Sequence, residues 1–156
     1  MAEPFIVRAE QRIPCPLNEV FEYFSRAENL GRITPPWLRF RIRSMHPDPV
    51  VEGTLIRYNL RWHGVPFRWT TRIEVWDRPH RFVDIQLHGP FALWHHEHCF
   101  EAIPGGTLMR DELRYRLPLG GLGRLAQRLL IGSDVESGFA CRRQAAERIF
   151  GSWPGV

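Results

Sequence analysis

The densest group of reactive side chains is Trp94-His95-His96-Glu97-His98. Alternate residues of an extended strand share a face, so Trp94, His96, His98 and Phe100 look the same way. Two imidazoles on one face can move protons near neutral pH, ligate a metal or orient the polar end of a ligand. Asp111 adds to the pattern, because it falls among Met109, Leu113 and Tyr115 on a strand face that is otherwise apolar. A carboxylate buried there needs a partner. The residues alone allow three roles for His96, His98 and Asp111. They orient the polar end of a mostly apolar ligand, they bond only to one another and stabilise the core, or one His is a general acid/base whose tautomer Asp111 fixes.

Two His and a carboxylate also have the makings of a facial triad for a divalent metal. Against it, no matching Glu follows His98, and cupin-like enzymes with this spacing are double-sheet barrels without a long C-terminal helix. No metal and no cofactor is expected. Cys15, Cys99 and Cys141 form no CxxC pair, which points to a reducing interior. The chain carries no Gly-rich phosphate loop and no GxSxG elbow.

Strands must position these groups, and period-2 alternation dominates the first three quarters of the chain. Phe40, Ile42 and Ser44 alternate with Arg39, Arg41 and Arg43; Ile56, Tyr58, Leu60 and Trp62 alternate with Arg57, Asn59 and Arg61. Phe67, Trp69, Thr71, Ile73 and Val75 repeat the pattern, as do Met109, Leu113, Tyr115 and Leu117. One face is apolar and the other carries arginine, the signature of a sheet with one solvated side. Short connections such as His63-Gly64 and Pro104-Gly105-Gly106 imply antiparallel neighbours. With Phe5 to Ile13 included there are about seven strands, too many to leave uncovered.

The cover is a C-terminal helix. Leu122, Leu125, Ala126, Leu129 and Leu130 recur at helical spacing, followed by Phe139, Ala146, Ile149 and Phe150, with Arg124, Arg128, Arg142, Arg143 and Glu147 on the charged face. At about 1.5 Å per residue this stretch runs on the order of 40 Å, with Gly132 and Gly138 leaving a kink or break open. Between the first two strands, Pro16 opens a short helix containing Val20, Phe21 and Phe24, and a second around Glu28 to Ile33 stops at Thr34-Pro35-Pro36. Trp37 follows the prolines at a rim position suited to a lid.

The 156 residues fit one domain, read as 1–156, and the 44% apolar content is ordinary for a globular protein. The net charge is +4, and all 21 basic residues are Arg, a bias of the kind a GC-rich bacterial genome produces. The outward arginines are interrupted by Glu74 and Glu112, so they read as a solvated face and no nucleic-acid partner is expected. No apolar run reaches the roughly 20 residues of a membrane span, and no signal-peptide pattern opens the chain. A cytoplasmic protein without integral membrane association is expected.

Several clusters, taken in order, resemble the ligand-binding SRPBCC superfamily, which includes lipid-transfer START domains and polyketide aromatase/cyclases. They are Pro16-Leu17-Asn18-Glu19-Val20-Phe21, Ile33-Thr34-Pro35-Pro36-Trp37, Gly89-Pro90-Phe91 before Trp94, His96 and His98, and Arg114-Tyr115-Arg116-Leu117-Pro118. The resemblance implies an α+β helix-grip fold, with a curved antiparallel sheet wrapped around a long C-terminal helix and a deep cavity between them. It does not imply a reaction, because members range from carriers to enzymes. It also bears on Phe82 to Leu87, where alternation alone turns Val83, Ile85 and Leu87 inward while the family pattern turns Asp84 and Gln86 inward with Phe82. The expected ligand is an apolar small molecule with one polar end: lipid, polyketide-like or aromatic. Trp37, Tyr58, Trp69, Trp94 and Tyr115 are its expected aromatic walls, and Asp84, Gln86, His96, His98 and Asp111 its polar contacts. The competing expectation is a cyclase, dehydratase or hydrolase acting through His96 or His98 with Asp111.

Overall fold

The computed structural model describes residues 2–155. Strand β1 (Phe5–Ile13) forms one edge of a seven-stranded sheet, and the chain then crosses to the opposite edge through α1 (Leu17–Ser25), a 3-10 turn at Ala27–Asn29, α2 (Leu30–Ile33) and a second such turn at Pro36–Leu38. From there β2 (Arg41–His46), β3 (Leu55–Trp62), β4 (Val65–Asp77), β5 (Arg81–His88), β6 (Leu93–Ile103) and β7 (Gly106–Arg116) return as a meander, ending beside β1. Every neighbouring pair is antiparallel. Between β3 and β4, His63 and Gly64 both take positive φ, 48° and 81°, the conformations a two-residue hairpin loop requires.

Alternation predicts the inner face correctly wherever the ladders are regular. Ile56, Leu60, Trp69 and Ile73 are buried, and so are Met109, Leu113 and Tyr115 on β7. It fails after two bulges. A register shift between Ile42 and Ser44 turns Met45 inward and leaves Ser44 exposed, and Phe40 lies ahead of the strand. A second shift between Ile73 and Val75 brings Trp76, not Val75, against Phe21 and Phe82. Each bulge inserts one residue, and one residue exchanges the two faces of everything beyond it. The same devices bend the sheet around the helix.

The C-terminal helix is unbroken: α3 (Gly120–Ala126), a π turn at Gln127–Ile131 and α4 (Gly132–Phe150) follow without interruption. Its inner line is Gly123, Gln127, Ile131 and Val135, then Phe139, Arg142 and Ala146. Steps of four residues would drift by about 40° each around an α-helix, and the wider π turn takes up that drift. At the front of the helix the predicted cover is therefore on the wrong side. Leu122, Leu125, Leu129 and Leu130 are 70%, 53%, 74% and 43% exposed. Gly123 is buried instead, and any Cβ on it would collide with the Pro118 carbonyl oxygen in the link between β7 and the helix. Only glycine fits on that side, and the flanking leucines lie on the other. Ile149, also expected inside, is exposed.

On the outer face of the sheet some of the arginines are neutralised locally: Arg8 and Arg114 share Glu112, Arg110 bridges Glu10 and Glu101, and Arg81 holds Glu97, while Arg41, Arg43, Arg57, Arg61 and Arg68 form no ion pair among the described residues. Such exposed pairs add little stability, but they break up the positive field.

The burial difference gives a direct test by urea unfolding. Leu113→Ala, at a fully buried site facing the helix, is expected to cost about 2–5 kcal/mol. Leu125→Ala on the exposed stripe is expected to stay within about 0.5 kcal/mol of the parent.

Candidate functional site

The sheet register assembles the polar centre. His98 on β6 lies directly opposite Asp111 on β7, and His96 lies opposite Asp84 on β5. These inward side chains meet Arg142, which α4 sends down from above. His98 is clamped: its Nδ1–H donates to Asp111 Oδ1 at 2.7 Å and its Nε2–H to Asp84 Oδ2 at 2.8 Å. Arg142 Nη2 lies 3.0 Å from the same Nδ1, but the guanidinium is held there by Asp111, with Nε 3.3 Å from Oδ2. The face of Phe24 lies 4.6 Å from the guanidinium carbon and completes its surroundings. Asp84, expected from the family pattern to point inward, does so.

Burial and charge set opposite protonation on the two imidazoles. Burial pulls His98 down, but hydrogen bonds to Asp111 and Asp84 outweigh it and leave its pKa raised. Burial also pulls His96 down, the neighbouring His98 charge adds to that, and the pKa ends lowered. Asp111 is raised by burial yet held well below the usual carboxylate range, chiefly by the Arg142 charge, with His96 and His98 adding to it. Asp84 is raised by burial and brought down by its bond to His98. The centre thus carries two carboxylates balanced by one imidazolium and one guanidinium, with His96 neutral beside them. His96 Nε2 comes within 3.4 Å of Asp111 Oδ1 without hydrogen-bond alignment and has no hydrogen-bond partner. That nitrogen is buried on the side of Asp111, so the neutral ring meets the cavity through its remaining edge.

This centre closes one end of a cavity of about 220 Å³ between sheet and helix. Tyr58, Trp69, Trp94, Leu113, Val135 and Phe139 make apolar walls, with Asp84, His96 and His98 at the polar end. Of the aromatics expected to line it, Trp37, Tyr58, Trp69 and Trp94 do. Tyr115 does not; it is 1% exposed in the core and its hydroxyl accepts from Gln127. Gln86 does not reach the cavity either, because its amide is used on the Phe91 backbone at both N–H and carbonyl. Asp111 sits behind His98 and touches the cavity only through it. A ligand would meet Asp84, His96 and His98 first.

Two functional features are not evident from the sequence pattern. Helical spacing places Arg142 on the solvated face, yet it is 8% exposed and completes the charge balance. Its position in the line Val135, Phe139, Arg142, Ala146 is the one signal that could reveal it. The other feature is at the rim, where Asp134 of α4 accepts from Trp62 Nε1 at 2.7 Å and lies 2.8 Å from His63 Nε2. Trp37 packs on His63 with ring centres 5.5 Å apart.

Asp84, His96 and His98 each offer a ligand atom within 4.8 Å of the others, so Asp84 replaces Asp111 in the only metal-type grouping found among the described residues. Both ring nitrogens of His98 are already bonded to carboxylates, so a metal there would have to displace the bond between His98 and Asp84.

A curved sheet wrapped on a long C-terminal helix, with an apolar cavity that is polar at one end, is a helix-grip domain. The chain belongs to the polyketide cyclase / dehydrase and lipid transport family, whose model matches residues 13–136, and with it to the SRPBCC group. Among solved structures it is similar to the protein TTHA0849 from Thermus thermophilus (25% identity, 93% of this chain and 99% of that one, TM-score 0.67). It is also similar in fold to a START superfamily protein from Mycobacterium smegmatis (14%, 92% and 98%, 0.70). The Zhui aromatase/cyclase from Streptomyces sp. R1128 has the same fold (16%, 94% and 96%, 0.72). No curated protein matches the sequence.

NMR titration of the two rings tests the electrostatics, with the His98 midpoint expected above 6.5 and that of His96 below it. The linkage has a definite sign. The stability His98 contributes is complete below about pH 6.5 and is lost as pH rises through its raised folded value. That of Asp84 and Asp111 is complete above about pH 4 and is lost as pH falls through their depressed values. His96 works on the acid side as well, losing its contribution as pH falls below about 6.5. Two rings titrating together near 6.5 would refute this arrangement.

Proposed function

We propose that this chain binds a compact apolar small molecule, flat enough to lie among Tyr58, Trp69 and Trp94, with one polar end directed at His96 and the Asp84–His98 pair. The observation that carries this reading is the asymmetry of the cavity. Its walls are aromatic and aliphatic, and its polar side chains converge at one end around the neutral imidazole of His96. At about 220 Å³ it lies below the roughly 300–1,000 Å³ of drug-sized sites, which favours one or two rings over a long acyl chain. Membership of a family named for polyketide cyclases and lipid transport supports an apolar ligand of this kind.

Native mass spectrometry of gently purified protein, followed by organic extraction, is expected to find a co-purifying apolar compound. An interior that is empty and also fails to take up an apolar fluorophore would sink the reading. With such a ligand in hand, His96→Gln is expected to weaken binding by about tenfold, the worth of one hydrogen bond.

A second reading, acid–base catalysis of the cyclase or dehydratase type, is favoured by the split protonation of the two histidines. In it the neutral His96 ring takes the proton. His98 cannot act directly, because both its N–H groups are committed, and so it serves as a fixed positive charge beside the developing negative one. His96→Gln would then lower turnover by about 10²–10⁴-fold with folding intact. An unchanged kcat in that variant would leave only the binding role.

A further inference from the structure

We infer that the front of the C-terminal helix is a docking surface for an anionic phospholipid membrane. The inference rests on the proposed cavity function for its purpose, the exchange of an apolar ligand with the bilayer. Its evidence lies elsewhere on the molecule.

Leu119, Leu122, Leu125, Leu129 and Leu130 are all exposed, five of the large exposed apolar residues within one short segment. A single exposed leucine needs no explanation, but a contiguous stripe on a helix does. The charges around it choose the occupant. From Leu113 to Ser133 the sequence has no carboxylate, while Arg114, Arg116, Arg124 and Arg128 fall within it. Arg124 and Arg128 flank the stripe and form no ion pair among the described residues. An apolar helical face bordered by unpaired arginines suits a layer of acyl chains beneath anionic headgroups. A second copy of the chain suits it less, because symmetric pairing of the segment would set Arg124 and Arg128 against themselves with no carboxylate in the segment to offset them. The segment is also too short to span a bilayer, so it lies in the interface.

Its location gives the contact a use. Asp134 follows Leu130 by about one turn and binds the β3–β4 hairpin at Trp62 and His63, where Trp37 packs. Trp37, Trp62 and Asp134 all line the cavity, so the leucine stripe leads to its rim. A bilayer docked on the stripe lies beside the mouth.

Vesicle co-sedimentation tests this with the whole protein. Wild type is expected to bind phosphatidylcholine vesicles containing phosphatidylglycerol, and to bind pure phosphatidylcholine, or either vesicle at high salt, about tenfold more weakly. Leu122→Gln/Leu129→Gln is expected to lose binding to both, and Arg124→Gln/Arg128→Gln to lose the preference for phosphatidylglycerol, with circular dichroism and melting unchanged. Failure of wild type to bind either vesicle, or full binding by the leucine variant, overturns the inference. So does a dimer in gel filtration that the leucine variant converts to monomer without any vesicle binding by wild type. Uptake of N-phenyl-1-naphthylamine measured without vesicles separates this inference from the cavity reading. The leucine variant is expected to take up the fluorophore like wild type, since neither leucine lines the cavity. Vesicle binding by a protein that takes up no fluorophore would remove the cavity reading and leave the membrane surface supported.

Discussion

Burying the Asp111 carboxylate is the constraint around which the interior is arranged. An ionised carboxylate inside an apolar core is untenable alone, and here it is met on two sides, by the His98 ring and the Arg142 guanidinium. Each partner then needs its own settlement. His98, held protonated beside Asp111, uses its far nitrogen on Asp84, while Arg142 lies against Phe24. Together these ties connect β5, β6, β7, α4 and α1, so the sheet and the helix that it grips are joined through the polar centre as well as through apolar packing. Breaking such a network at one member is costly because the others are left buried and unpaired.

The network also explains how adjacent histidines of the same strand face come to differ. Their rings lie 3.9 Å apart between centres, too close for two positive charges in a site with little water. The carboxylates stabilise the charge on His98, and the charge on His98 keeps His96 neutral. Two rings of one chemistry thus acquire separate properties, one a fixed cation and the other a neutral ring that lines the cavity. Register sets Asp111 opposite His98, and Asp84, although it stands opposite His96, also bonds diagonally to His98, so both carboxylates serve one ring.

Much of this was legible in the sequence because strand alternation is a local signal. The inner faces of β3 and β7, the HxH pair and the odd carboxylate at Asp111 follow from neighbours in the chain. What was not legible depends on non-local events. A bulge that exposes Ser44 or brings in Trp76 is set by how two strands pair, not by either strand alone. Arg142 looks solvated in its own helix and becomes buried only because a charge from β7 lies beneath it. The leucines of the front helix have a faultless amphipathic spacing and yet face away from the sheet, because the side that packs inward is the one carrying Gly123, Gln127 and Ile131. Periodicity reports that a stripe exists; it does not say what the stripe faces.

The π turn at Gln127–Ile131 is the form a helix takes when it carries one residue more than an α-helical ladder accommodates. The widened turn absorbs that residue, so the buried lines of α3 and α4 stay on one side of the helix across it. Deleting a residue inside the turn would restore regular bonding with little rotation, whereas a deletion within α3 or α4 would turn everything beyond it by about 100°. The turn is thus the place where this helix can change length by one residue while the leucines ahead of it and the polar centre beneath α4 keep their bearings.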